Sequence, residues 1–132
     1  MKNYLILLLL TLSVTLPSCQ KKDIDAPDQE KLTLQISKPA EAQAFRQNDT
    51  VWILAKAAYV SQLHGYALQL TDTANKTVYL DITEHVHGSS FDIDTFWVNT
   101  AKAGSALQLQ LTAEIDHEGN EKTSSVHFTS QL

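Results

Sequence analysis

From residue 32 onward, apolar and polar residues alternate with a period of two, the pattern of a strand with one buried face. The longest alternation covers residues 105–117, in which Leu109 and Leu111 lie at the centre of the apolar face. Turn signals such as Lys38-Pro39 separate the alternating segments. The pattern predicts strands at 32–36, 51–57, 64–71, 77–87, 90–94, 105–117 and 121–129. About seven short alternating strands predict an all-β fold, an antiparallel sandwich.

The first eighteen residues have the pattern of an export signal. Lys2 supplies a positive charge, and thirteen mostly apolar residues, 4–16, follow it. A helix needs ~20 residues to cross a hydrocarbon core of ~30 Å, so this run is too short to span a membrane. We therefore predict a signal peptide at residues 1–18.

The signal ends in Leu16-Pro17-Ser18-Cys19, which resembles the lipobox of bacterial lipoproteins. The resemblance implies cleavage before Cys19 and acylation, for example with palmitate, of its thiol and its new amino group. Two or more acyl chains hold a protein durably at a membrane. The alternative is ordinary secretion with a free Cys19. Because Cys19 is the sole cysteine of the sequence, no disulfide is expected in the domain.

Residues 19–31, CQKKDIDAPDQEK, are charged and almost without aliphatic side chains, so we predict a flexible tether. Acidic residues soon after the lipidated cysteine resemble the surface-export signal of some outer-membrane lipoproteins, but Lys21 and Lys22 come first. A plain spacer is the alternative. Together these segments predict a protein anchored to the bacterial outer membrane, at its periplasmic face or the cell surface, with one folded domain at 32–132.

The charge balance of the chain limits its partners. Without Lys2, nine Lys and Arg oppose fifteen Asp and Glu. An acidic chain without a basic stripe argues against nucleic acid as a partner. We expect contact with the membrane through the lipid anchor rather than through charge.

The segment from Pro39 to Val51, PAEAQAFRQNDTV, resembles the link between the first two strands of bacterial Ig-like modules. Ala42 and Asn48 stand where those modules often have glycine. The later segments LHGY, EHVHG and EIDHEGN resemble a domain-of-unknown-function family of small Ig-like bacterial lipoproteins. The resemblance implies an Ig-like sandwich and an envelope location, and it implies no activity.

An Ig-like sandwich pairs the predicted strand 64–71 antiparallel with both 77–87 and 105–117. This pairing gathers four histidines at one end of one sheet: His64, His85, His87 and His117. His127 lies along the last strand and is left out of the group.

Side-chain parity divides these four histidines. His64 and His117 continue inward-facing sets and should point into the mouth between the sheets. Pairing residue 70 with 78 and residue 68 with 80 places Glu84 opposite His64 and leaves His85 and His87 on the outer face. Alternatively, a bulge near Glu84 turns His85 inward.

The His-x-His spacing places two imidazoles ~6–7 Å apart on one face of a strand. Such a pair is a candidate ligand set for zinc or copper, with Glu84 or Asp116 completing or orienting it. The competing interpretation is that the histidines are solvated side chains at the rim of the sheet.

No catalytic motif occurs in the sequence, and we predict that the protein is not an enzyme. Trp52 and Trp97 are predicted to be core residues. Two functions remain open: a lipid-anchored module that binds a transition-metal ion through its histidines, or an interaction module that docks a membrane transporter or another envelope protein.

Overall fold

Six β-strands and one 3₁₀ turn make up most of residues 28–132, the part of the chain that the computed structural model describes. The predicted signal peptide, Cys19 and residues 19–27 of the predicted tether lie outside the described residues. The 3₁₀ turn is Gln29–Lys31, and the strands are β1 (Thr33–Lys38), β2 (Ala44–Arg46), β3 (Thr50–Asp72), β4 (Val78–Val98), β5 (Ala106–Glu114) and β6 (Glu121–Gln131). The all-β prediction is confirmed. Within residues 28–132, no helix has the length and apolar character needed to cross a membrane.

The two longest strands differ from the prediction of about seven short ones. Segments 51–57 and 64–71 are halves of the single strand β3, and segments 77–87 and 90–94 both belong to β4. The two strands pair antiparallel from Thr50 opposite Val98 to Ala58 opposite Ser90, and again from Leu63 to Thr71. Between these stretches, residues 59–62 of β3 face Ser89 alone. Residues 58–62 contain no Gly, Pro, Asn or Asp, so the chain bends at a bulge instead of breaking into a turn.

The bend lets β3 and β4 contribute to two groups of strands. The first half of β3 lies between β1 and the second half of β4. Its second half lies between the first half of β4 and β5, and the order continues through β6 to β2. This confirms the predicted pairing of 64–71 with its two neighbours. The sheet is mixed rather than wholly antiparallel, because β2, a strand that was not predicted, pairs parallel with β6.

A single apolar cluster joins the two groups of strands. Both halves of β3 contribute to it, through Val51 and Ile53 and through Leu68 and Leu70. The predicted centre of β5 is confirmed, since Leu109 and Leu111 are fully buried. Each fully buried leucine of this kind stabilises the fold by ~1.5–3 kcal/mol relative to an exposed one.

The link between β1 and β3 contains two residues with left-handed backbone. Ala42 and Asn48 have φ angles of 60° and 69°. The Ala42 N–H donates to the His127 carbonyl at 2.7 Å, and the Asn48 N–H donates to the Asn99 carbonyl at 2.9 Å. These bonds hold the link in a conformation that a residue with a Cβ atom rarely adopts.

Asn99, which follows β4, connects three strands through a buried side chain that is 1% exposed. Its Nδ2 donates to the Arg46 carbonyl of β2 at 2.8 Å and to Ser130 Oγ of β6 at 2.9 Å. Its Oδ1 accepts from the Ala101 N–H at 3.2 Å. A buried amide needs such partners, and here they attach β2 to the rest of the sheet.

Candidate functional site

Two of the four predicted site histidines are in contact. His64 begins the second half of β3, and His117 lies in the turn between β5 and β6. Their ring centroids are 4.4 Å apart and their planes are inclined at 64°. His64 is half-buried, whereas His117 is exposed. Antiparallel pairing of β3 with β5 brings these residues together, as the strand order predicted.

The predicted register of β3 against β4 is wrong by two residues. Leu70 lies opposite Leu80 rather than residue 78, and Glu84 lies opposite Tyr66 rather than His64. The reason is local to the hairpin. Thr71 pairs with residue 78, so β4 carries one extra residue, 79, before the regular ladder begins. The residue pattern alone could not reveal this register error, because a register that differs by two residues keeps every side chain on the same face.

A second bulge of β4 lies beside the histidines. Leu63 pairs with Gly88 and Gly65 pairs with His85, so three residues of β3 face four residues of β4. The alternative given in the sequence analysis was a bulge near Glu84. The bulge lies further along β4, between His85 and Gly88. His85 remains directly opposite Gly65. Gly65 is three positions from the inward-facing Leu68 and so has the opposite parity, which places both Gly65 and His85 on the outer face.

The four histidines are therefore divided. His64 and His117 form a contacting pair, whereas His85 and His87 are exposed on β4. Among residues 28–132, no three His, Cys, Asp or Glu side chains are grouped so that they could hold a metal ion. The excluded His127 lies on β6, where its Nδ1 is 3.5 Å from Glu41 Oε1.

Asp116, one of the two candidate extra ligands, is engaged in the β5–β6 turn. Its Oδ2 accepts from Asn120 Nδ2 at 2.7 Å, and its Oδ1 accepts from the Glu118 and Asn120 N–H groups at 2.9 and 3.1 Å. The hydrogen bond from Asn120 is the largest cause that lowers the pKa of Asp116, and the nearby His64 contributes in the same direction. The carboxylate thus organises the turn that contains His117.

Glu84, the other candidate, is exposed and lies opposite Tyr66. Burial, followed by the negative charge of Glu84, raises the pKa of the Tyr66 phenol. The Tyr66 ring is stacked on Phe91 with a centroid distance of 4.7 Å. Glu84 therefore acts electrostatically on a packed tyrosine, and it is not part of a ligand group with the histidine pair.

A second surface, absent from the sequence predictions, is the aromatic face, defined here by Trp52, Phe96 and Val98. Trp52 of β3 lies opposite Phe96 of β4, and their ring centroids are 5.6 Å apart. Trp52 is 51% exposed and Phe96 is 54% exposed. The prediction that Trp52 is a core residue is therefore wrong, whereas Trp97 is buried as predicted.

Strand parity explains the exposure of Trp52 and could have revealed it. Val51 and Ile53 fill one face of β3, and Trp52 shares the opposite face with Leu54 and Lys56. A lysine within a strand marks the solvent side. An apolar run such as 51–55 also fits a strand buried on both faces, so the run alone does not decide whether Trp52 lies in the core.

The aromatic face is bordered by two shallow depressions. One has a volume of about 290 Å³ and is lined by residues that include Lys38, Pro39, Phe45 and Trp52. The other, about 250 Å³, is lined by residues that include Leu54, Lys56, Asp92 and Asp94. An apolar centre with a charged border is the usual composition of a protein-binding surface.

Comparisons with known proteins bear on the fold alone. No family model matches the chain, and no curated protein sequence matches it. Among solved structures, the chain is similar to the crystal structure of Spo0M, a sporulation control protein from Bacillus subtilis, with a TM-score of 0.50 and 9% sequence identity. The match covers 77% of this chain and 49% of that chain, so the present chain spans about half of its length.

The environment of Gly65 allows a stability test of the histidine end of the sheet. A Cβ atom at Gly65 would lie 2.7 Å from the Glu84 carbonyl oxygen and 3.3 Å from Glu114 Oε2. We expect Gly65→Ala to lower the free energy of unfolding by ~1–3 kcal/mol, because the backbone of β4 must move away. Urea unfolding followed by tryptophan fluorescence measures the change.

Gly88→Ala is the matched control for this test. A Cβ atom at Gly88 meets no atom closer than the Ser90 carbonyl oxygen at 3.6 Å, an ordinary van der Waals contact. We expect no loss of stability in this variant. Equal stability of the Gly65→Ala and Gly88→Ala proteins would contradict the close approach of β3 and β4 at Gly65.

Proposed function

We propose that this chain is a lipid-anchored interaction module of the bacterial outer membrane, without enzymatic activity, which docks a membrane transporter or another envelope protein. The observation that carries the proposal is the aromatic face, in which Trp52 and Phe96 are in contact with each other and yet about half exposed. Tryptophan and other aromatic residues are enriched at protein interfaces and at the residues that dominate binding energy.

The lipid anchor rests on residues 16–19, Leu-Pro-Ser-Cys, which resemble a lipobox. Acylation of Cys19 would confine the domain to a membrane surface, and residues 19–31 would separate the two. Confinement raises the effective concentration of the domain toward other envelope proteins. A modest docking surface is then sufficient for function.

The non-enzymatic assignment is supported by the form of the surface depressions. The two described above are open and have volumes of about 290 and 250 Å³. Small-molecule sites are usually clefts of roughly 300–1,000 Å³ with a few convergent polar groups. The described domain offers a broad face, which suits a macromolecular partner better than a small substrate.

The anchor is tested by Cys19→Ser. Removing the thiol prevents acylation, so we expect the protein to move from the membrane fraction to the soluble fraction. Immunoblotting of fractionated cells measures the distribution. Unchanged membrane partition in the variant would contradict the lipoprotein assignment.

Docking is tested with a photoreactive amino acid placed at Trp52 in the anchored protein in cells. We expect a discrete adduct with another envelope protein at this position, because the indole lies at the centre of the proposed surface. Val60, which is 70% exposed at the bend of β3, is the matched control position. Adducts of equal yield at both positions, or none at Trp52, would refute docking through the aromatic face.

Metal binding remains a second candidate function because His64 and His117 are in contact. Two imidazoles whose ring centroids are 4.4 Å apart offer nitrogen donors suited to zinc or copper. Asp116 lies in the same turn as His117, but its oxygens already accept hydrogen bonds within that turn. His85 and His87 would contribute only if the bulge between His85 and Gly88 rearranged.

The metal hypothesis is tested by the melting temperature with added Zn²⁺ or Cu²⁺ at pH 7.5. Binding at a hundredfold excess over the dissociation constant would stabilise the folded state by ~2.7 kcal/mol. We expect His64→Ala and His117→Ala to remove this gain, and lower pH to weaken it, because only neutral imidazole binds a metal. His127→Ala is the control and should change nothing. An unchanged melting temperature would exclude metal binding, and a gain lost only in His85→Ala and His87→Ala would place the site on the outer face.

A further inference from the structure

The outer edge of β4 has no neighbouring strand in the described part of the chain. Within residues 28–132, every backbone pairing of β4 is made with β3, from Val78 to Val98. Free N–H and C=O groups along a strand edge are a template for a further strand. We propose that a second copy of this chain occupies the edge, with β4 antiparallel to β4 about a two-fold axis at Phe96.

The hydrogen bonds at the end of β4 show which backbone groups face the free edge. The Asn99 N–H donates to the Asp49 carbonyl at 2.9 Å, so Asn99 directs its backbone groups toward the β3 side. Successive residues of an antiparallel strand direct these groups to opposite sides, and the register of this half of β4 is regular. The groups that point to the free edge are therefore those of Val98, Phe96 and Asp94.

A register centred on Phe96 is self-complementary, as a two-fold interface requires. Phe96 of each copy lies opposite Phe96 of the other, and Asp94 lies opposite Val98. Directly opposed Cβ atoms are ~4.5–5.5 Å apart, so the pair formed by Trp52 and Phe96 continues into a row of four aromatic rings. A register centred on residue 93 would instead place Asp92 opposite Asp94, and opposed like charges destabilise a sheet.

The first half of β4 is a poorer site for self-pairing. It carries Asp81, Glu84, His85 and His87 as well as the bulge before Gly88. Charged residues and bulges are the features that prevent edge-to-edge pairing. The stretch of β4 at the aromatic face, residues 94–98, has regular pairing and one acidic residue, Asp94, and is therefore the one that fits a second copy.

The self-pairing rests on the proposed function, because the interface by itself is small and depends on membrane anchoring to form. Pairing along one strand end is small compared with the ~1,200–2,000 Å² of a stable interface. Anchoring by Cys19 confines both copies to one membrane surface and raises their effective concentration. The paired copies present their aromatic rings on the same outer face, so that pairing doubles the proposed docking surface without covering it.

Single-cysteine cross-linking in the anchored full-length protein tests the pairing. Cys19 is the sole cysteine of the chain and would be acylated, so an introduced cysteine reports on its own position. With Phe96→Cys, mild oxidation should shift the protein to twice its monomer mass, because the two cysteines are directly opposed. Val60 is 70% exposed but lies on β3, outside the ladder that contains residues 94–98, so Val60→Cys should remain monomeric.

A second pair of variants retains Phe96 and checks the register. Asp94→Cys and Val98→Cys should each remain monomeric alone and should form a dimer when they are expressed together. Any of four results would overturn the proposal. They are dimers of Val60→Cys as abundant as those of Phe96→Cys, dimers of Asp94→Cys alone, a disulfide from position 96 to a different protein, and no dimer in either experiment. If self-pairing fails while the adduct at Trp52 and membrane anchoring persist, the proposed function stands without it.

Discussion

The structure depends on one antiparallel ladder, the pairing of β3 with β4 along nearly their whole length. The two strands bend together at residues 59–62, so the same pair supplies members to both groups of strands. The first half of β3 then has an edge for β1, and its second half has an edge for β5. Because side chains alternate along each strand, the ladder also determines which residues enter the common core.

A second constraint closes the sheet at the opposite edge. β2 has only three residues and cannot hold its place by length alone. Its position depends on the buried amide of Asn99, which donates to the Arg46 carbonyl and to Ser130 Oγ. Burying an amide without partners costs free energy, so its complete hydrogen bonding favours one arrangement of this corner over looser alternatives.

The two candidate surfaces lie at different parts of the ladder and have different physical character. The histidine pair lies beside the bulge between His85 and Gly88, where the regular pairing is interrupted and polar side chains meet at the rim. The aromatic face lies on the regular stretch, where Trp52 and Phe96 are directly opposed and the outer edge is free. Regular pairing suits a flat docking surface and a further strand, whereas the bulge separates His85 and His87 from the contacting pair.

The residue pattern was sufficient for the all-β class, for the buried positions of β5 such as Leu109, and for the contact between His64 and His117. These features follow from the period of two and from strand order, which a shift by two residues does not alter. The resemblance to Ig-like modules marked Ala42 and Asn48 as positions where glycine is common, and both residues have positive φ angles.

Only the tertiary structure decided the continuity of β3 and β4, the three bulges between them and the exposure of Trp52. Bulges depend on how two strands fit around a turn and a bend, and neither strand encodes them by itself. Trp52 is exposed because nothing among residues 28–132 covers the outer face of the first half of β3. The residue type alone does not show whether a neighbouring layer covers that face.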